Sequence, residues 1–116
     1  MKRGLKFAAL LLALFMLPGI SEAVIRDGAI RGKSGLSFGS ISYNFNSLSV
    51  TIRNSTKYNQ NFGGSMIFLD KNYKVIARAE ILTAKIKRHS SRKFKAFFSE
   101  GSGNEAKNAR YLEWEF

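Results

Sequence analysis

The clearest structural signal in the chain is the stretch SMIFLDKNYKVIA at residues 65–77. Apolar residues come first, polar turn formers follow from Asp70, and Val75 begins a second apolar run. β-Branched and aromatic residues on both sides of a turn that contains Asp and Asn predict a β-hairpin. No glycine follows Asp70, so we expect Asn72, whose short polar side chain tolerates positive φ, to take the left-handed position.

Short alternating segments surround this hairpin. Before it, apolar and polar residues alternate from Leu36 to Arg53, with a change of phase at Gly39-Ser40 that predicts a bulge or a sharp bend. After it, residues 93–98 and 111–116 alternate in the same way. Residues 79–86 suit a short helix as well as a strand, and their length and strand neighbours favour a strand. We therefore predict an all-β fold, a small antiparallel β-sandwich of about seven strands.

Aromatic residues on these segments are expected to fill the core, because core burial is much commoner for them in strands than a role as a ligand-stacking platform. The aromatic core residues that we predict are Phe45, Phe68, Phe94, Phe98 and Trp114.

The first 23 residues have the features of a secretory signal. Lys2, Arg3 and Lys6 precede an apolar run, and Ser21-Glu22-Ala23 offers small residues where a signal peptidase cleaves. An uncleaved membrane anchor is the alternative, but the apolar run of about 13 residues is shorter than the roughly 20 that span a bilayer. We predict cleavage after Ala23 and export to the periplasm or the extracellular space, with no transmembrane segment left after cleavage.

Removal of this signal leaves a chain of one-domain size, which divides into a flexible lead-in at 24–35 and a β-sandwich at 36–116. The chain contains no Cys, which excludes disulfides, thiol nucleophiles and Cys-ligated metals. From residue 24 onward sixteen Lys and Arg face seven Asp and Glu, a net charge of +9. That charge favours anionic partners or surfaces, with solubility through self-repulsion as the alternative.

Basic residues concentrate at residues 85–95, where seven of eleven are Lys, Arg or His. Period-two alternation turns Ile86 and Phe94 inward and the lysines outward, with Arg88, His89 and Arg92 on a connecting turn. If the flanking strands pair directly, the lysines form a like-charge ladder. If the chain crosses between sheets, the lysines separate and only the turn is a cluster. The candidate anion-binding residues are Lys85, Lys87, Arg88, His89, Arg92, Lys93 and Lys95.

Asn54-Ser55-Thr56 matches a glycosylation acceptor pattern. Because the leader is of bacterial type, we interpret these residues instead as a loop with side-chain turns.

Few residues in the sequence are suited to catalysis. His89 lies among basic residues with no nearby carboxylate to orient it, and no phosphate loop or nucleotide fingerprint is present. Glu113 and Glu115 share a strand face and could be proposed as a catalytic acid pair. Two exposed glutamates on an edge strand are the more ordinary interpretation of this pattern. We predict a protein that is not an enzyme and has no cofactor.

Two segments resemble the FxLYD-type immunoglobulin-like domains of exported bacterial proteins. Leu48, Val50 and Ile52 alternate ahead of Asn54, and residues 66–70 match the name-giving motif at its apolar places and at Asp70. The resemblance covers about residues 48–98. It implies an immunoglobulin-like fold for the predicted β-sandwich and implies no functional site.

Two functions follow as expectations. The first is a non-catalytic binding module for an anionic envelope component, a glycan or a lipid headgroup, and the alternative to such binding is a solvated basic turn that discourages aggregation. The second is a structural or assembly subunit whose exposed edge strands pair with an envelope protein partner. Nucleic acid is disfavoured, because an exported protein meets little of it and no recognition motif is present.

Overall fold

The computed structural model describes residues 24–116 and places most of them in β-strands. A short helix, α1 (Gly103–Ala106), lies in the stretch at 99–107 that the composition predicts as a loop. The all-β fold with seven antiparallel strands is confirmed, and the predicted signal peptide lies outside the described residues. The strands are β1 (Gly28–Ala29), β2 (Leu36–Tyr43), β3 (Ser47–Asn54), β4 (Gln60–Leu69), β5 (Val75–Ile86), β6 (Ser90–Glu100) and β7 (Tyr111–Glu115).

The strands form one sheet in the order β1-β2-β3-β6-β5-β4-β7, in which every neighbouring pair is antiparallel. Strands β3 to β6 have Greek-key connectivity, since β4, β5 and β6 follow one another and β3 lies beside β6. Phe38 on β2 and Trp114 on β7 lie five positions apart in this order, yet their ring centroids are 5.6 Å apart. In a flat sheet five strand spacings are about 24 Å. The sheet is therefore curled, in a sandwich-like arrangement.

The sheet divides at one end into two leaves. β5 and β6 pair only between Arg78–Ile81 and Ala96–Glu100. Beyond Ile81, β5 pairs with β4 alone, and the first half of β6 pairs with β3 alone. We call β1, β2, β3 and β6 the first leaf, and β5, β4 and β7 the second leaf. The strands around the basic stretch therefore diverge, and the predicted alternative of a direct lysine ladder is wrong.

The core lies between the two leaves. Phe68 and Phe94 are buried as predicted, while Phe98 and Trp114 are partly buried and pack against the core. Phe45 is a wrong core prediction, because its side chain is 66% exposed. It lies between β2 and β3, where its carbonyl accepts a hydrogen bond from Gly103 N–H and its side chain projects outward. The fully buried large side chains include Leu48, Ile52, Phe62, Met66, Phe68 and Ile86.

The turn between β4 and β5 differs from the prediction by one residue. Tyr73, and not Asn72, has positive φ, at 63°. Tyr73 N–H donates to the Asp70 carbonyl, and Asp70 N–H donates to the Lys74 carbonyl. The turn consists of residues 70–73, and its last residue is the left-handed one, so the left-handed position falls directly after Asn72. Tyr73 also stacks on Tyr111, with ring centroids 4.5 Å apart.

Asp70 organises this turn through its carboxylate. Oδ1 accepts hydrogen bonds from Asn72 N–H at 2.8 Å and from Lys74 N–H at 3.0 Å. These two hydrogen bonds favour the charged form and lower the pKa of Asp70 from its ordinary value of 3.8.

A pH dependence follows for the variant Asp70→Asn, which keeps an oxygen acceptor and removes the charge. Because the pKa of Asp70 is lower in the folded state, its charge stabilises the fold above the unfolded value of 3.8. That stabilisation is lost as pH falls through the folded pKa. Urea unfolding should show the wild type as the more stable protein at neutral pH. The difference should close in acid, and a difference that widens in acid would contradict this role of Asp70.

Two further features lie near the start of the domain. The bulge predicted at Gly39-Ser40 is confirmed, because the β2–β3 register shifts between Gly39 and Ser42 and Ser40 has φ of 53°. The lead-in predicted at 24–35 is not separate from the sandwich, since it contains β1 and the buried Ile30. Ile30 N–H donates to the Leu36 carbonyl, which ties this segment to β2.

Candidate anion-binding cleft

A cleft opens where β5 and β6 diverge. Its lining residues are Lys85 and Lys87 on one side and Ser90, Ser91 and Arg92 on the other, around a volume of about 350 Å³. We call these five residues the basic cleft. None of them is acidic, and the Ser91 hydroxyl adds a donor to the three cationic side chains. The basic cleft therefore has the groups that bind an oxyanion.

The turn at the apex of the basic cleft is held in place from outside. Ser90 donates to the Lys87 carbonyl through both its N–H at 3.2 Å and its hydroxyl at 2.6 Å. His89 has φ of 52°, and its N–H donates to the Thr56 carbonyl at 3.2 Å. Arg88 N–H donates to Asn59 Oδ1 at 3.0 Å. The loop at 55–59 thus supports the turn that carries the basic residues.

Asn54 anchors that supporting loop. Its side chain is completely buried at the end of β3, and Nδ2–H groups donate to the carbonyls of Tyr58 at 2.7 Å and Ile86 at 3.0 Å. Oδ1 accepts from Thr56 N–H at 2.9 Å and from the Thr56 hydroxyl at 2.6 Å. The predicted loop with side-chain turns is confirmed. The buried amide also leaves no accessible nitrogen for glycosylation in the folded protein.

Arg92 lies in β6 and not on the connecting turn, so that part of the prediction is wrong. It pairs with the buried Ile52 and lies on the same strand face as Phe94. Its guanidinium is 5.8 Å from the Phe94 ring centroid, and Nη1–H donates to the Lys85 carbonyl at 2.9 Å. A guanidinium has five N–H donors, so donors remain for a ligand after this contact between the two leaves.

The other predicted residues fall into two groups. Arg88 and His89 are exposed on the turn beside the basic cleft. Lys93 and Lys95 lie on the opposite face of β6 from Arg92, where they pair in register with Thr51 and Ser49. Lys95 Nζ is 5.6 Å from the ring centroid of Phe97, which faces outward as predicted. The structure therefore does not bring all seven candidates together.

Acidic residues gather on the second leaf. Arg78 is bridged to Glu80 and Glu115, and Glu80 also accepts hydrogen bonds from the hydroxyls of Ser65 and Ser99. The Ser65 and Ser99 hydrogen bonds, assisted by Arg78, hold the pKa of Glu80 below its ordinary value. From residue 24 onward no ion pair involves a residue of the basic cleft. No carboxylate of the described domain neutralises the cationic groups there.

Residues 24–116 offer neither a metal-binding cluster nor a membrane-spanning helix. No group of three or more His, Asp or Glu side chains is placed to hold a metal ion in the described part of the chain. Nor does that part contain a helix that is long and apolar enough to cross a membrane. Burial raises the pKa of Tyr43 to about 12, and its hydroxyl has no hydrogen-bond partner there.

Serines 90 and 91 and Asn54 were missed as functional residues at the sequence level. An Asn at a strand end followed two residues later by Thr is the signal that could have identified the supporting loop, since it predicts an Asx turn. No comparable local signal marks the serines, because their position depends on the divergence of β5 and β6.

Comparisons of the chain with protein-family models, with curated proteins and with solved structures gave no match. The resemblance to FxLYD-type domains stays a prediction. The class of protein defined by the fold and the site is a small basic all-β protein with a cationic cleft at one end.

Proposed function

We propose that this protein is an exported, non-catalytic binding module that takes an anionic envelope component, a glycan or a lipid headgroup, into the basic cleft. The observation that carries the proposal is the unneutralised group of Lys85, Lys87 and Arg92 where the two leaves separate. Export is inferred from the leader at residues 1–23. Absence of a catalytic role is inferred from the lone, exposed His89.

The chemistry of the basic cleft favours a phosphate, sulfate or carboxylate ligand. Arg92 offers planar N–H donors, the two lysines offer flexible ammonium groups, and Ser91 offers a hydroxyl. A solvated basic turn would need none of the support that Asn54, Thr56 and Asn59 give to this one. Preorganised donors lose less conformational entropy when they bind, which raises affinity.

Charge is distributed unevenly over the domain, and this supports a defined binding face. Glu80 and Glu115 lie on the second leaf with Arg78, whereas the basic cleft lies at the end where the leaves diverge. The domain from residue 24 onward has a net charge of +9, and its positive end would orient the protein toward an anionic surface.

The test is a charge-neutralised variant, Lys85→Gln with Lys87→Gln and Arg92→Gln. Each basic residue near an anionic membrane contributes about 1 kcal/mol, so three should account for about a hundred-fold in affinity. Co-sedimentation with vesicles containing phosphatidylglycerol and elution from heparin should both show the loss. The probe that shows the larger loss identifies the source of the anion as a lipid headgroup or a glycan.

A matched control changes three basic residues at the other end of β5, Lys71→Gln with Lys74→Gln and Arg110→Gln. The two triple variants have the same net charge, so a diffuse electrostatic attraction predicts equal losses. Binding at the basic cleft predicts a much smaller loss for the control. Equal loss in both variants would overturn the site.

A second candidate function is assembly through edge strands, because among the described strands β1 and β7 each have a neighbour on one side only. The salt dependence of binding separates the two functions, since ionic binding weakens as salt rises and backbone pairing is less sensitive to it.

A further inference from the structure

The two ends of the curled sheet face each other across an open cavity. β1 and β7 are the terminal strands of the sheet, and a cavity of about 580 Å³ lies between them. Ala29 lines it from one side, Leu112 and Trp114 line it from the other, and Phe38 lies between. The curl brings the two leaves into contact here without closing the sheet into a barrel.

The β7 edge offers unpaired backbone groups to this cavity. All five residues of β7 pair with β4 in unbroken register, and no strand among residues 24–116 covers the other side. Five residues of strand present an edge about 17 Å long. Such an edge is a template for another strand, and proteins usually protect it with Pro, a bulge or charged side chains, Lys above all. β7 has no Pro, Lys or bulge, and its only charged side chains are those of Glu113 and Glu115.

Side chains on β7 define the pattern that a pairing strand would need. Leu112 and Trp114 are half-buried toward the core, whereas Tyr111, Glu113 and Glu115 are exposed on the other face. Glu115 is bridged to Arg78, but Glu113 has no ion-pair partner between residues 24 and 116. A neighbouring strand would therefore bring apolar residues beside Trp114 and a basic residue beside Glu113.

We infer that the β7 edge receives an extended segment of another protein, in which apolar and basic residues alternate. This site lies on different strands from the basic cleft and does not depend on it. A second copy of the chain is a poor occupant, because antiparallel pairing of two β7 strands about Glu113 places the two Glu113 side chains opposite each other. Like charges directly opposite in a sheet are destabilising.

The experiment uses a capped peptide of the sequence Lys-Ile-Lys-Val-Lys-Ile-Lys-Val with the protein labelled for NMR. Binding should slow hydrogen exchange of outward-facing β7 amides at least ten-fold. A peptide N-methylated at every residue keeps its charge and loses the backbone donors of both edges, so it should not protect these amides. Protection by both peptides would overturn strand pairing, because charge alone would then be enough.

Charge reversal tests the residue pattern. Glu113→Lys should weaken binding of the lysine peptide about ten-fold and strengthen that of the matching glutamate peptide. Glu100→Lys makes the same charge change at an exposed position on β6, three strands away from β7, and should have little effect. Equal effects of the two variants would overturn the proposal. It would also be overturned if the free protein were a dimer with its β7 amides already protected.

Discussion

Replacing Asn54 with Ala should lower the free energy of unfolding by about 2–4 kcal/mol, because one buried carbonyl and two part-buried backbone groups would lose their partner. The Asn54 side chain satisfies the Tyr58 and Ile86 carbonyls and the Thr56 N–H from a completely buried position. For a domain of this size each kcal/mol corresponds to about 4–8 °C in melting temperature. The melting temperature should therefore fall by about 8–32 °C.

The variant Asn54→Asp tests the same network through pH. One carboxylate oxygen would still accept from Thr56, but the other would face two carbonyl oxygens where Nδ2 now donates. Burial and these carbonyls should raise the pKa of the new carboxyl in the folded state. A raised folded pKa means that stability is highest at acid pH and falls as pH rises through that pKa. Unfolding curves across pH should show this direction, opposite to that expected from Asp70.

Asn61 provides the control for Asn54. It is an exposed asparagine on β4 whose side chain makes no hydrogen bond to any residue between 24 and 116, so Asn61→Ala should change the unfolding midpoint very little. A similar loss of stability in both variants would show that the hydrogen bonds of Asn54 add nothing to the free energy of unfolding. If the network supports the basic cleft, Asn54→Ala should also weaken anion binding at a temperature where the variant remains folded.

Local patterns predicted the elements that depend on local physics. The hairpin around Asp70, the bulge at Ser40 and the inward positions of Ile86 and Phe94 all follow from alternation and turn chemistry. Tyr73 shows the limit of this reasoning. Which residue of the turn is left-handed depends on the backbone hydrogen bonds that close the turn, and these join Asp70 to Tyr73 and to Lys74. Asn72 satisfies the residue preference but not that register.

The arrangement of the site depends on pairings that are distant in sequence. Arg92 was placed on a turn because the basic stretch is continuous, whereas its pairing with Ile52 across 40 residues fixes it in β6. The basic cleft exists because β5 and β6 leave each other for different partners after Ile81. Alternation within 85–95 is the same whether those strands pair or diverge, so the sequence left both arrangements open.

The contact between the leaves gives the other large expected effect, at Phe62. Its ring lies edge-on to Phe94, Trp114 and Phe116, with centroids 5.5, 5.7 and 5.6 Å away. The side chain is 1% exposed. Phe62→Ala should therefore cost about 3–5 kcal/mol, which combines the lost transfer free energy with the cavity left between the leaves.

Chemical denaturation would measure this cost, with Phe97→Ala as the matched control. Phe97 is 49% exposed on the outer face of β6, so its removal should cost far less than that of Phe62. If Phe62→Ala does not fold, Phe62→Leu keeps most of the volume and should show a smaller loss in the same direction. Equal stability of the Phe62 and Phe97 variants would mean that the leaves are not held together by this aromatic contact. Because Phe94 lies under the Arg92 guanidinium, a loosened contact at Phe62 should also reduce anion affinity, whereas Phe97→Ala should leave the basic cleft intact.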